Sequence, residues 1–290
     1  MINNFLKVNL ETKRLMNTNV VENYSKLKLS LFVLPLFLLL SIVLFLISVD
    51  ALSVNGYVEI QKECFIFLNS EFSQFPNLIY NLTQIGDALI FLSLISVFIV
   101  YAPKIWESLI TASLVSAVFS RILKDIFSIP RPAEVFDNSI FVIVGRRLPG
   151  FSSLPSGHSI TVFTGLTVLL FAFMPKKWVD KILWCFFILV LGYSIAFTRV
   201  GVGAHHPLDV ISGSIIGYIS ALLGIFISRK YKIWAWINNI KSYPFFILLF
   251  SICCFVLIHK IYKENLVIFY LALTSLIVSL YKIIYVYIKK

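Results

Sequence analysis

Residues 29–49 read LSLFVLPLFLLLSIVLFLISV, twenty-one positions in which three serines and one proline interrupt an otherwise aliphatic and aromatic run, with no charge anywhere. At about 1.5 Å rise per residue such a run reaches about 30 Å as a helix, the thickness of the hydrocarbon core of a bilayer. It does not alternate as a barrel strand does. It is too long for the core of a cleaved leader and has no evident cleavage site, so it is read as a first transmembrane helix. Further runs follow at 78–101, 106–123, 158–174, 182–198, 208–228, 244–259 and 265–285, the fourth and fifth spans being short. The expectation is an all-α, polytopic membrane helix bundle of eight spans.

Composition agrees. Hydrophobic residues make up 59% of the 290 and charged residues 13%, about half the roughly 25% of soluble globular chains, and the mean hydropathy is +0.91. A soluble sphere of this size has no room to hide so much apolar surface. The net charge of +11, from 25 basic and 14 acidic residues, is scattered between apolar runs, with no basic stripe and interleaved aromatics; nucleic acid is not expected as a partner. Of the four cysteines, Cys185, Cys253 and Cys254 lie inside apolar runs and Cys64 stands alone, a pattern that gives neither a metal site nor a disulfide framework.

With the N-terminus inside, 16 of the 25 basic residues fall on the cytoplasmic side, among them Lys7, Lys104, Lys176, Lys177, Lys181, Arg229, Lys230 and Lys232. This bias follows the positive-inside rule and puts both chain ends in the cytoplasm. Residues 1–28 read as a polar cytoplasmic segment. Residues 50–77 read as an outside segment with Val58, Phe65, Ile66 and Phe72, either an interfacial amphipathic helix or an ordered loop.

Three polar clusters interrupt the apolar pattern, all on the outside in this topology: Lys124-Asp-Ile-Phe-Ser-Ile-Pro-Arg131-Pro132, then Pro155-Ser156-Gly157-His158, then Arg199-Val-Gly-Val-Gly-Ala-His205-His-Pro-Leu-Asp209. Ionisable groups at membrane depth are costly and mark function. Lys124, Arg131 and Arg199 could surround a phosphate, the arginines through paired donors and the lysine as a point charge. Ser156 and Gly157 stand ahead of a helix, where backbone N–H groups, a hydroxyl and the helix dipole make an anion site. His205 and Asp209 are four apart, with Pro207 placed for the first helical turn. A carboxylate holding one imidazole nitrogen leaves the other free for attack, and His158 can supply a proton to a departing oxygen. No carboxylate cluster suited to magnesium accompanies them, and no cofactor is expected. His206 is read as a bystander, Arg146 and Arg147 as off the motif, and Asp87 as a polar helix end.

The pattern Lys-x6-Arg-Pro, Pro-Ser-Gly-His, Arg-x5-His-x3-Asp resembles the type 2 phosphatidic acid phosphatase (PAP2) superfamily, which includes bacterial lipid phosphatases and the vanadium haloperoxidases. The resemblance covers 124–209 and, with flanking helices, roughly 78–228; Thr198 stands where the third motif usually has serine. It implies a six-helix PAP2-like core plus about two extra C-terminal spans, with 29–228 the catalytic domain and 229–290 an extension. It implies that His205 is the nucleophile forming a phosphohistidine, Asp209 its orienting partner, and His158 the acid and then the base. Lys124, Arg131, Ser156, Gly157 and Arg199 become the phosphate-binding set, with no metal. The function implied is hydrolysis of a phosphomonoester or pyrophosphate of a membrane lipid, such as phosphatidic acid, phosphatidylglycerophosphate, undecaprenyl pyrophosphate or lipid A. The site would face the outside of the cytoplasmic (inner) membrane. A lipid-to-lipid phosphotransferase is the alternative within enzymes, and a non-catalytic lipid transporter or scaffold the alternative outside them.

Overall fold

The computed structural model describes residues 15–289. Every regular element among them is helical, and eight helical passes run between two ends of the bundle. The first is α1 (Val33–Ser48), entered through a 3-10 turn at Leu29–Phe32. Two helices of the 50–77 segment follow, α2 (Val54–Glu59) and α3 (Lys62–Ser73). The second pass is broken into α4 (Pro76–Thr83), α5 (Ala88–Leu94) and α6 (Phe98–Tyr101). Then come α7 (Pro103–Phe127), α8 (Gly157–Ala172), α9 (Trp178–Ala196), the single turn α10 (Thr198–Gly201), α11 (Pro207–Tyr231), α12 (Tyr243–Lys263) and α13 (Val267–Ile288).

Five of these passes are long and apolar enough to cross a membrane: Leu29–Ser48, Trp178–Gly201, Pro207–Tyr231, Ile240–Lys263 and Val267–Ile288. Five candidate spans thus stand against the eight expected, and the chain is a multi-pass helical membrane protein. The other three are central and modified by the site they carry. The run 78–101, expected as one span, restarts at Asp87, whose extended backbone and side chain cap α5 by accepting from the N–H groups of Leu89 (2.9 Å) and Ile90 (3.4 Å). Helix α7 carries Lys104, Glu107, Arg121, Lys124 and Asp125, and α8 has only 16 residues.

Helices α7, α8 and α11 form the centre. Close approach is built into α11 by small residues at helical spacing. A Cβ on Gly217 would stand 2.6 Å from the Ile160 carbonyl oxygen, and one on Gly224 would stand 2.5 Å from the Ala112 Cβ. Gly213, Gly217 and Gly224 thus let α11 lie against both neighbours with backbone almost in contact.

The final hairpin, α12–α13, packs on the broken pass through a core of its own, in which Phe246, Phe250, Phe269 and Leu276 meet Ile90, Ile99 and Trp106. Ser96 and Ser279 hydroxyls pair inside it at 2.7 Å, and Lys260 reaches Asp87 at 3.4 Å.

Both described chain ends gather at the end of the bundle opposite the three motifs. There the polar lead-in packs against the bundle. Residues 1–14 lie outside the described residues, but 15–25 are helical, with Val20 and Tyr24 fully buried. The Tyr24 hydroxyl donates to the Val168 carbonyl (3.1 Å), and the Asn23 amide donates to those of Ala172 and Met174, thereby capping the open C-terminus of α8.

Candidate active site

All three motifs meet at the other end, each placed by a helix terminus. Helix α7 stops at Ser128 in the left-handed region (φ 45°), and the prolines at 130 and 132 prevent it from resuming. Lys124 thus sits in the last turn, and Arg131 opens the loop beyond. Ser156 ends the next loop as the N-cap of α8, and Pro207 starts α11 directly after His205 and His206. Gly203, at φ 76°, makes the tight return from α10, with the Val142 carbonyl and the Phe141 ring 2.9 Å from where its Cβ would be. No bulkier residue fits that turn.

The His205–Asp209 pair forms as the four-residue spacing predicts. Nδ1 lies 3.5 Å from Oδ2, and both residues are buried. Nε2 is left as the imidazole nitrogen free to attack. Burial is the largest influence on this imidazole, and with the charges of Arg131 and Arg199 it outweighs the carboxylate and pushes His205 down to about 3. It is neutral at ordinary pH, the form a nucleophile requires.

Three cations and a second imidazole surround the pair. Lys124, Arg131 and Arg199 act electrostatically on one another and on His158, which also feels His205. Lys124 Nζ stands 3.4 Å from where a Cβ on Gly157 would project, so the lysine lies directly over the lead residue of α8. Arg199 is 5% exposed; its Nη1 donates to Thr83 Oγ1 at 2.9 Å, while its Nε has no partner and no access to solvent. Arg131 is alike: Nη2 reaches Ser152 Oγ at 3.5 Å, and the buried Nε is unpartnered. Buried donors are almost always satisfied. Two orphaned guanidinium N–H groups, on arginines that both act on His158 and His205, therefore point to an anionic ligand.

Ser156 has a second duty besides the one expected of it: its N–H donates to the Asp209 carbonyl (3.0 Å), and its Oγ accepts from Ser159 N (3.4 Å) and Ser159 Oγ (2.9 Å). It is a fully buried cap that ties the second motif to the third. His206 is also more than a bystander. It is fully buried between Phe65 and Phe136, and its Nε2 is 3.1 Å from the Pro130 carbonyl, joining the third motif to the first. Arg147 staples the intervening loop by donating to the Ala133 carbonyl at 3.0 Å. The Thr198 hydroxyl donates to the Ile195 carbonyl within its own helical segment and does not face the cluster.

Several residues of the site were not foreseen. Ser153 Oγ donates to Asp209 Oδ2 at 2.6 Å and lies 3.5 Å from His205 Nδ1, bridging the pair. From the 50–77 segment, Tyr57 donates to Asp209 Oδ1 at 2.8 Å, Gln61 Oε1 accepts from Leu208 N at 2.7 Å, and the Asn69 amide donates to the carbonyls of Val142, Val200 and Gly201. With Phe65 between them, these residues recur every fourth position and share one face. The segment is helical, as one of its two readings had it, but this face covers the third motif rather than lipid.

Comparison with known proteins agrees with this geometry. Residues 106–234 match the model of the PAP2 superfamily. Over 99 residues the chain is 31% identical to a lipid A 4'-phosphatase of Bacteroides thetaiotaomicron, a match covering 34% of this chain and 41% of that protein. It is 27% identical over 194 residues to an undecaprenyl-diphosphatase of Sulfolobus acidocaldarius, covering 66% of this chain and 87% of the other. The crystal structure of Aquifex aeolicus LpxE aligns with a TM-score of 0.47 and 26% identity, over 58% of this chain and 95% of that one. The chain thus spans less than half of the first relative and most of the second. All three motifs lie inside the matched region, and over that region this membrane protein is similar to the PAP2 superfamily.

Proposed function

We propose that this protein is a membrane lipid phosphatase working through a phosphohistidine. The observation that carries the reading is the pair of buried, unpartnered Nε donors of Arg131 and Arg199 beside a neutral, carboxylate-held His205. In the first step His205 Nε2 attacks phosphorus, the bond to the leaving lipid oxygen breaks, and His158 donates the proton that oxygen needs. In the second, water attacks the phosphohistidine, His158 takes its proton, and the N–P bond breaks to release phosphate. Lys124, Arg131 and Arg199 balance the charge on the equatorial oxygens, the dominant contribution in phosphoryl transfer.

A lipid leaving group is favoured by a groove of about 430 Å³ that begins at Gly157 and His158 and follows α8 toward Gly165. Apart from Asp87 and His158, its walls are apolar or carry short hydroxyls, among them Leu92, Ser113, Ala117 and Thr161. Such a lining suits a hydrocarbon chain held with its phosphate at the histidines. Relatives named for lipid A and undecaprenyl diphosphate support the same class. The alternative of a scaffold has no use for a nucleophile with its orienter and cation set. Phosphate release by purified protein from a panel of phosphatidic acid, phosphatidylglycerophosphate, undecaprenyl pyrophosphate and lipid A tests the assignment. Release from a single pure lipid also separates hydrolysis from transfer to a second lipid, and no release from any of them overturns it.

The cations do here the work that a metal does elsewhere, so activity is expected to survive a chelator. Vanadate is expected to inhibit, bound to His205 as a five-coordinate mimic of phosphorus. Loss of activity with chelator and recovery with magnesium contradicts this site.

The distribution of basic residues supports an exterior, membrane-surface site in the cytoplasmic membrane. In a background lacking the four native cysteines, Asn138→Cys is expected to react with a membrane-impermeant thiol reagent in intact spheroplasts. Lys177→Cys is expected to react only after lysis. The opposite pattern places the site on the cytoplasmic side.

A further inference from the structure

The carboxylate that faces His205 is held partly from outside the three motifs. Asp209 Oδ2 accepts from Ser153 Oγ (2.6 Å) and from the backbone N–H of His206 (2.9 Å), and it faces His205 Nδ1 at 3.5 Å. Among the described residues, Oδ1 has one hydrogen-bond donor, the Tyr57 hydroxyl at 2.8 Å. Tyr57 is 4% exposed and lies on α2, well before the 106–234 region that matches the family.

We infer that Tyr57 is a positioning residue for phosphoryl transfer, its hydroxyl fixing one oxygen of Asp209 so that the other stays aimed at the His205 imidazole. The inference rests on the reading of His205 as nucleophile and Asp209 as its orienter. A carboxylate tethered at one oxygen alone can rotate about its Cβ–Cγ bond. Tethered at both, it presents a fixed edge, and the ring it faces is held with Nε2 toward the phosphate. Groups that orient a reacting or ligating histidine through such contacts govern activity nearly as strongly as the histidine's own neighbours.

The phenol is well made for the task. Burial, reinforced by the Asp209 charge, drives Tyr57 far above the usual tyrosine range, so it remains a donor at any working pH. Its backbone is also fixed. Gln61, one turn on, donates from its amide to the Tyr57 carbonyl (2.7 Å) and accepts from Leu208 N at the start of α11. One side chain thereby ties the donor's helix to the acceptor's helix, and the distance between Tyr57 and Asp209 is set by two independent links. A phenylalanine would fill the same space and leave Oδ1 without its partner.

The test is Tyr57→Phe in the purified full-length protein, beside Tyr57→Leu and His205→Ala, with phosphatidic acid in detergent micelles as substrate. Tyr57→Phe is expected to lower kcat by roughly 10-fold or more, the range seen when an orienting partner of a functional histidine is removed, with KM and Tm unchanged. Inhibition by vanadate, which needs the aligned nucleophile, should weaken by the same factor. Inhibition by inorganic phosphate, which needs only the cations, should not move. Tyr57→Leu separates packing from donation: if the ring alone matters, Tyr57→Phe restores what Tyr57→Leu loses, and the inference is overturned. Wild-type kcat and vanadate inhibition in Tyr57→Phe overturn it equally. If His205→Ala is inactive while Tyr57→Phe behaves as wild type, only this inference fails; if His205→Ala stays active, the reading beneath it fails.

Discussion

Replacing His205 with alanine is expected to abolish turnover, by roughly 10⁴-fold or more, because a covalent intermediate has no substitute path once its nucleophile is gone. The fold should survive. His205 lies in the return between α10 and α11, within 3.5 Å of Ser153 Oγ and Asp209 Oδ2, and outside both helices. His206→Ala makes the opposite trade. It keeps the backbone N–H that Asp209 accepts but deletes a ring wedged between Phe65 and Phe136 and linked to Pro130. Its expected cost is chiefly in Tm, with part of the activity retained. Acid-quenched reactions with phosphate-labelled substrate should leave label on wild type and on His206→Ala, and none on His205→Ala. Equal loss of label from both variants means that the third motif has been read in the wrong register.

The bundle was legible because its signal is one-dimensional. A run such as 29–49 declares a helix by apolar length alone, and five candidate spans stand against the eight expected runs. The break at Gly86–Asp87 was harder to foresee. The apolar count continues across it, and only the N-cap chemistry of Asp87 marks the restart. Gly86 belongs there for a spatial reason: a Cβ on it would fall 2.6 Å from that of His158. The motif residues themselves could be found because charge at membrane depth is conspicuous. Their supports could not. Tyr57, Gln61 and Asn69 form a helical stripe with only Phe65 apolar among them, and a scan for hydrophobic periodicity passes over a face that is buried by hydrogen bonds. Thr83 and Ser153 are ordinary hydroxyl residues whose meaning depends on what the fold sets beside them, Arg199 in one case and Asp209 in the other. The capping duty of Ser156 was hidden for a related reason. A serine ahead of a helix is suited both to capping that helix and to binding an anion, and the bond from Ser159 that shows the cap appears only in the fold.

Arg199→Lys is expected to preserve the charge of the phosphate site and still lose roughly 10²–10³ in kcat, the cost of removing one preorganised donor from a developing oxyanion. The reason is geometric. Arg199 divides its donors between two directions, with Nη1 committed to Thr83 at 2.9 Å and Nε buried without a protein partner. Thr83 thus acts as a stop that fixes the guanidinium plane, and in the proposed mechanism the unpaired edge faces the transferring phosphoryl group. A lysine ammonium is one compact centre on a flexible stem and cannot hold Thr83 while presenting two coplanar donors to phosphate. It is also at risk of shedding its proton in so buried a place, which would remove the charge as well. The loss should fall on kcat more than on KM, since the donors matter most as charge spreads over the equatorial oxygens. Thr83→Val should give a smaller loss in the same direction, because it frees the plane without removing the donors. If Arg199→Lys keeps kcat within about three-fold of wild type, less than removal of one oriented donor costs, then Arg199 serves the site as bulk positive charge and the planar-donor account of the phosphate pocket is wrong.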